Sequence, residues 1–198
     1  MYRDFLIAIT DLGDSSVICG IVFVGIIYLL YNKCGRGALA LALALILSSC
    51  GIALAKLLFI GCGGVSYTSS INSPSGHTAL SLAVYGTYTL LLCSQLRGWR
   101  QIFVIVIIVD LIAAIAATRV VLGFHNITEV MLGIIVGGVA LLLVQQYVKR
   151  GPLKSFNVYL LILCIVITAA LLHGFRLPAE HLIQEIAKYI RPYSPICK

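Results

Sequence analysis

The sequence predicts an all-α fold: a six-transmembrane-helix bundle with short interfacial amphipathic helices at both ends, built as one membrane-embedded domain over residues 1–198. Three observations predict it. The chain is 61% hydrophobic and only 11% charged, far from the roughly one-quarter charged residues of an ordinary soluble domain. Six apolar runs meet or approach the length of a membrane crossing, which takes about 20 residues and tolerates roughly 17. Between the runs lie clusters of Gly and polar residues of the kind that punctuate helices.

The elements follow in chain order. Tyr2, Phe5, Leu6 and Ile9 recur at helical spacing, so residues 1–14 are expected to lie in the interface as an amphipathic helix. Met1–Asp14 is too acidic for the basic start of a signal peptide, and no small-residue cleavage site follows the first apolar run, Ser15–Tyr31. That run therefore stays as a membrane helix. Asn32–Gly37 breaks the pattern before the second run, Ala38–Ile60. The connection from Gly61 to Gly76 is the longest and is rich in Gly, Ser and Thr, which marks it as a candidate functional segment. The third, fourth and fifth runs are Thr78–Leu96, Ile102–Thr118 and Ile127–Tyr147. Gly133 and Gly137 form a Gly-x3-Gly pair, which reads as close helix packing. Lys149–Asn157 leads into the sixth run, Val158–Phe175. Beyond it Leu182, Ile183, Ile186 and Ile190 repeat the helical spacing, so residues 177–198 are expected to form the second interfacial segment.

Charge and cysteine usage narrow the partners. The net charge is +7, but the fourteen Lys and Arg are scattered through loops and tail without a basic face or interleaved aromatics. That excludes a nucleic-acid surface and favours anionic lipid head groups. The seven cysteines show neither metal-ligand pairs nor the even spacing of a disulfide framework. They read as small apolar residues, and Cys62 and Cys197 as unpaired although both fall on one side. The first, third and fifth connections carry Lys33, Arg36, Arg97, Arg100, Lys149, Arg150 and Lys154. The other side carries as many positive residues. Once Lys56 and Arg119 are set aside as site residues, and those beyond the last span are discounted, only Arg3 remains there. The positive-inside rule then places those connections in the cytoplasm and the termini outside.

Ionisable groups inside a bilayer are costly and usually mark function, and strict alternation of the spans brings several of them to one face. Lys56 lies one turn before the end of the second span, and His77 opens the third within Pro74-Ser75-Gly76-His77. Arg119 ends the fourth span, and His125 and Glu129 open the fifth. Gly123 permits the tight turn between those two helices. His125 and Glu129 are four apart and share a helix face. Glu129 can then take the proton on one imidazole nitrogen, leaving the other neutral, oriented and free to attack phosphorus. The helix start at Ser75 and Gly76 offers unpaired amides and a positive dipole end to an anion. His77 suits proton donation to a leaving oxygen. Arg119 and Lys56 suit the phosphoryl oxygens, although Lys56 reads equally well as snorkelling to the head groups. Asp110 lies too deep for direct chemistry and is read as a buried hydrogen-bond partner of Tyr85 or Tyr88. His173 and His181 read as satisfied interfacial residues.

These residues resemble the type-2 phosphatidic acid phosphatase superfamily, which shares its site with vanadium haloperoxidases. Its second motif, Pro-Ser-Gly-His, is matched by Pro74, Ser75, Gly76 and His77. Its third, Ser-Arg-x5-His-x3-Asp, is matched by Arg119 and His125, with Thr118 in place of Ser and Glu129 in place of Asp. The resemblance implies that His125 is a nucleophile forming a phosphohistidine, that Glu129 orients it, and that His77 protonates the leaving group. It implies that Arg119, Ser75 and Gly76 hold the phosphate, and that no metal or other cofactor takes part. The first motif, Lys-x6-Arg-Pro, is degenerate: Lys56 is present, but Gly63 and Gly64 occupy the Arg-Pro positions. Their amides are expected to form an anion nest in its place, with Tyr67, Thr68, Ser69 or Ser70 helping. The expected function is hydrolysis of a lipid phosphate or diphosphate, such as phosphatidate or undecaprenyl diphosphate. The expected setting is a bacterial inner membrane with the site facing the periplasm. The alternatives are a phosphotransferase with a lipid or sugar acceptor, and a catalytically weak lipid-binding relative.

Overall fold

The computed structural model describes residues 2–61 and 73–175. Within them the chain forms seven helices and no strand: α1 (Tyr2–Asp11), α2 (Ser15–Tyr31), α3 (Gly35–Gly61), α4 (Gly76–Cys93), α5 (Trp99–Val121), α6 (Ile127–Lys149) and α7 (Val158–Leu172). Polar residues at the breaks in the apolar pattern start several of them. Asp14 accepts from the Ser16 amide, Ser75 from Thr78, and Asn157 from Tyr159 and Leu160. Asn126 and Glu129 close a reciprocal capping box at the start of α6. Each cap satisfies amides that a helix start leaves without an internal partner.

Helices α3, α5 and α6 are long and apolar enough to cross a membrane, and α1 with α2 qualifies as a pair bent by 41°. Helix α7 has 15 residues, about 22 Å at 1.5 Å per residue. Helix α4 reaches 18 residues but carries His77, Thr78, Ser81, Thr87 and two tyrosines. Six equal apolar crossings are thus not what the helices present. The most central helix is the most polar one, and its hydroxyls are turned inward: Thr78, Ser81 and Thr87 are fully buried, and Tyr85 and Tyr88 nearly so. Helix α5 is the converse. Its only buried residues are Ile115 and Thr118, and most of its large apolar side chains face outward, as a surface bathed in lipid requires.

Asp110 departs from its expected burial. It sits on the exposed side of α5, while the hydroxyls of Tyr85 and Tyr88 donate to the carbonyls of Leu12 and Ile21, both at 2.7 Å. Nearer backbone acceptors on α1 and α2 take the tyrosines, and the carboxylate turns out of the bundle. His173 behaves as expected of an interfacial residue, its Nε2 donating to the Ala8 carbonyl at 3.1 Å. His181, Cys62, Cys197 and the second interfacial segment lie outside the described residues.

The glycine pair on α6 lays that helix against the backbone of α4. A Cβ on Gly133 would sit 2.6 Å from the Ser75 carbonyl oxygen, and one on Gly137 2.5 Å from that of Ala79. Backbone atoms cannot swing aside, so the helices would have to separate. Gly137→Ala is expected to cost about 1–3 kcal/mol, the usual scale of overpacking, read as a lower unfolding midpoint in detergent. Gly138→Ala, whose Cβ meets only Leu82 at 3.9 Å, is the matched control and should leave the midpoint in place.

Candidate active site

The close contact of α4 and α6 sets their two N-termini side by side. The Ser75 amide donates to the Glu129 carbonyl at 3.0 Å, and the Ser73 amide to Glu129 Oε1 at 3.0 Å. The start of α4 is therefore tied to both the backbone and the side chain of one residue in the first turn of α6. The α5–α6 turn is fixed as firmly. Gly123 adopts φ 72, a left-handed conformation natural to glycine. The amides of Phe124 and His125 both donate to the Arg119 carbonyl, at 3.1 and 3.0 Å. Arg119 and His125 are thus held at a set separation by the backbone alone.

His125 Nδ1 lies 2.9 Å from Glu129 Oε2. The same oxygen accepts from the Asn126 amide at 3.1 Å, so the carboxylate is held from three directions and buried to 4% exposure. An acceptor so placed requires Nδ1 to carry the hydrogen, which leaves Nε2 with its lone pair. Burial pushes the His125 imidazole below the usual histidine range; the Glu129 hydrogen bond opposes this, and the positive charges of Arg119 and Lys56 reinforce it. At neutral pH the ring is neutral, the state a nucleophile needs.

Arg119 donates from Nη1 to Thr10 Oγ1 at 3.3 Å, and its guanidinium stacks 4.6 Å above the Phe124 ring. Lys56 is buried on α3, at 3% exposure, which separates it from a lysine that snorkels into solvent. Its charge and that of Arg119 act on both His77 and His125. Two imidazoles from different helix starts therefore share one pair of cations. Ser75 itself is fully buried, its hydroxyl spent on capping Thr78. Among the described residues only Ile52, at 4.0 Å, borders the space where a Gly76 side chain would stand. Gly63, Gly64 and Tyr67–Ser70 lie outside the described residues.

Two participants were missed by the sequence reading, both from the N-terminal elbow. Asp14 Oδ2 lies 3.5 Å from His77 Nε2. Thr10 is the Arg119 partner just described. Both follow from the way α1 sits: Tyr2 and Phe5 point outward, while Thr10 and Asp11 are buried. The C-terminal end of α1 is the part turned towards the bundle, where Ile9 packs on the core beside Thr10 and Asp11. The Asp-Ser-Ser run ahead of an apolar stretch was a legible capping signal. Nothing local pointed to a histidine 63 positions later.

Among the described residues no group of three or more His, Cys, Asp or Glu is placed to hold a metal ion. An apolar groove of about 460 Å³, lined among others by Leu96, Trp99, Phe103 and Ile162, runs towards the opposite ends of α4 and α5. It is separate from the polar cluster.

The sequence profile of the PAP2 superfamily matches residues 37–152, a stretch that includes Lys56, His77, Arg119, His125 and Glu129. A Klebsiella pneumoniae protein described as an uncharacterized 22.5 kDa protein in cps region is 31% identical over 191 residues, covering 93% of this chain and 90% of its own length. No solved structure matches the chain.

Proposed function

The chain belongs to the PAP2 superfamily, and from that premise we propose that it is an integral membrane phosphatase hydrolysing a lipid phosphate or diphosphate through a phosphohistidine at His125. The observation that carries this reading is the 2.9 Å pair of His125 and Glu129, set beside His77 and under the charges of Arg119 and Lys56. His125 Nε2 attacks phosphorus, the bond to the lipid oxygen breaks with its electron pair on that oxygen, and His77 supplies the proton. Water then attacks the phosphohistidine and gives a proton to His77. The phosphorus–nitrogen bond breaks, phosphate leaves, and the imidazole is regenerated. Arg119, Lys56 and the amides at Gly76 and His77 neutralise the phosphoryl oxygens, where most of the catalysis of such a transfer lies.

In the bilayer the chain makes six crossings: α1–α2 as one bent span, then α3 to α7, with α4 shielded by its neighbours. The cytoplasmic side is the one bearing Lys33, Arg36, Arg97, Arg100, Lys149, Arg150 and Lys154. The site then opens outward, where undecaprenyl diphosphate is the fitting substrate in a bacterial membrane.

The test is phosphate release by detergent-solubilised protein given phosphatidate, undecaprenyl diphosphate and soluble phosphate esters, without an added acceptor. Release from the lipids is expected, with an acid limb below the ordinary histidine value of 6.5, since the lowered His125 must be neutral to attack. Release that requires a lipid or sugar acceptor would replace hydrolysis with transfer. Binding without release would sink the enzymatic reading.

A further inference from the structure

We infer that Asp14, which lies outside the matched motifs, is the positioning residue of His77: its carboxylate faces the ring at Nε2, orients it, and favours retention of the proton that His77 gives to the leaving oxygen. This rests on the function proposed above and assigns the partner of its acid.

The geometry is built rather than incidental. Asp14 is the N-cap of α2, with Oδ1 accepting from the Ser16 amide at 3.0 Å and from the Ser16 hydroxyl at 3.1 Å. The other oxygen faces His77 at 3.5 Å. One carboxylate thus fixes a helix start and a catalytic ring together. The residue is 7% exposed, so water screens the pair little. The elbow closes tightly against the helix that bears His77. A Cβ on the adjacent Gly13 would lie 2.8 Å from Ser81 Oγ on α4 and 2.7 Å from Ile115 Cγ2 on α5. Ser81 is one turn beyond His77 on the same face, so the absence of a side chain at 13 is what lets Asp14 reach the ring.

The surrounding charges show why a carboxylate is needed. Burial first, and then Arg119 from α5 and Lys56 from α3, act against a positive charge on His77. From α6, Glu129 is engaged by His125 and by the amides of Ser73 and Asn126. Asp14 is the acidic group that acts on His77. A site that gathers cations for phosphate works against the proton on its own acid, and the Asp14 carboxylate opposes that. With Nε2 on Asp14, Nδ1 is the nitrogen that delivers the proton.

Asp14→Asn separates the charge from the cap, because asparagine still accepts from the Ser16 amide. Hydrolysis of phosphatidate, whose alkoxide must be protonated to leave, is compared with that of p-nitrophenyl phosphate, whose phenolate leaves unaided. General acid catalysis contributes about 10²–10⁴-fold, so the ratio of the two kcat values is expected to fall by about 10-fold or more, and the alkaline limb for phosphatidate to move to lower pH. Equal losses on both substrates would overturn the assignment. In parallel, NMR of protein carrying ¹³C-labelled histidine should show His77 titrating at lower pH in the variant. An unshifted His77 overturns the pairing whatever the activity. Wild-type protein that releases phosphate from neither substrate overturns the proposed function instead, and the titration still decides the pair.

Discussion

Replacing His125 with alanine is expected to abolish phosphate release from every lipid phosphate that the wild-type protein hydrolyses, a loss of about 10⁴-fold or more by analogy with removal of a nucleophile from a triad. The size follows from the absence of a substitute. His77 faces Asp14 with Nε2 and stands at a different helix start, while Ser75 is buried and capped into α4. The fold should survive the change. Glu129 keeps its bonds from the Ser73 and Asn126 amides, and the turn is held by backbone amides on the Arg119 carbonyl, so the capping box and the α4–α6 contact persist. Unfolding midpoints of the two proteins are the control. Turnover retained in His125→Ala, with the midpoint unchanged, would remove the assigned nucleophile.

How much of this site was legible depends on the range of each contact. His125 and Glu129 are one helical turn apart, so spacing alone brought them together, and the observed 2.9 Å pair adds only the choice of nitrogen. Gly123 and the Gly133–Gly137 pair were legible because a left-handed turn favours glycine by its φ, and a backbone-to-backbone contact leaves no room for a side chain. Orientation was the illegible part. The periodicity of Tyr2, Phe5, Leu6 and Ile9 fixes which residues share a face of α1, but not which way the face turns. Tyr2 and Phe5 are exposed, while Ile9 packs on the core beside the buried Thr10 and Asp11. Asp110 failed on the same ground, since a charge on a span was assigned inward and α5 shows that face to the outside. The family's missing arginine at Gly63 lies outside the described residues. Thr10 and Asp14 show the site recruiting its supporting groups from the N-terminal elbow, which no motif spacing could announce.

Glu129→Gln is expected to slow turnover by about 10³–10⁴-fold, as a comparable amide substitution does in a serine triad, and the geometry says why so small a change should cost so much. The carboxylate is an acceptor on every side: Oε1 takes the Ser73 amide, and Oε2 takes both the Asn126 amide and His125 Nδ1–H. A glutamine must place its amide group at one of the two. With the NH₂ at the Oε2 position, it donates to Nδ1, forces the hydrogen onto Nε2 and occupies the lone pair that attacks phosphorus, while also meeting the Asn126 N–H. With the NH₂ at the Oε1 position, the histidine keeps its tautomer but the Ser73 N–H faces another donor, leaving a buried group unsatisfied at a cost of about 1–3 kcal/mol. That loosens the tie between the loop end and α6. The two outcomes separate experimentally: the first lowers kcat with the unfolding midpoint nearly intact, the second lowers the midpoint as well. Glu129→Asp restores the family's usual residue and the charge, and should recover most of the rate if the shorter side chain still reaches Nδ1. A Glu129→Gln protein with wild-type kcat would show that imidazole orientation is not what Glu129 supplies.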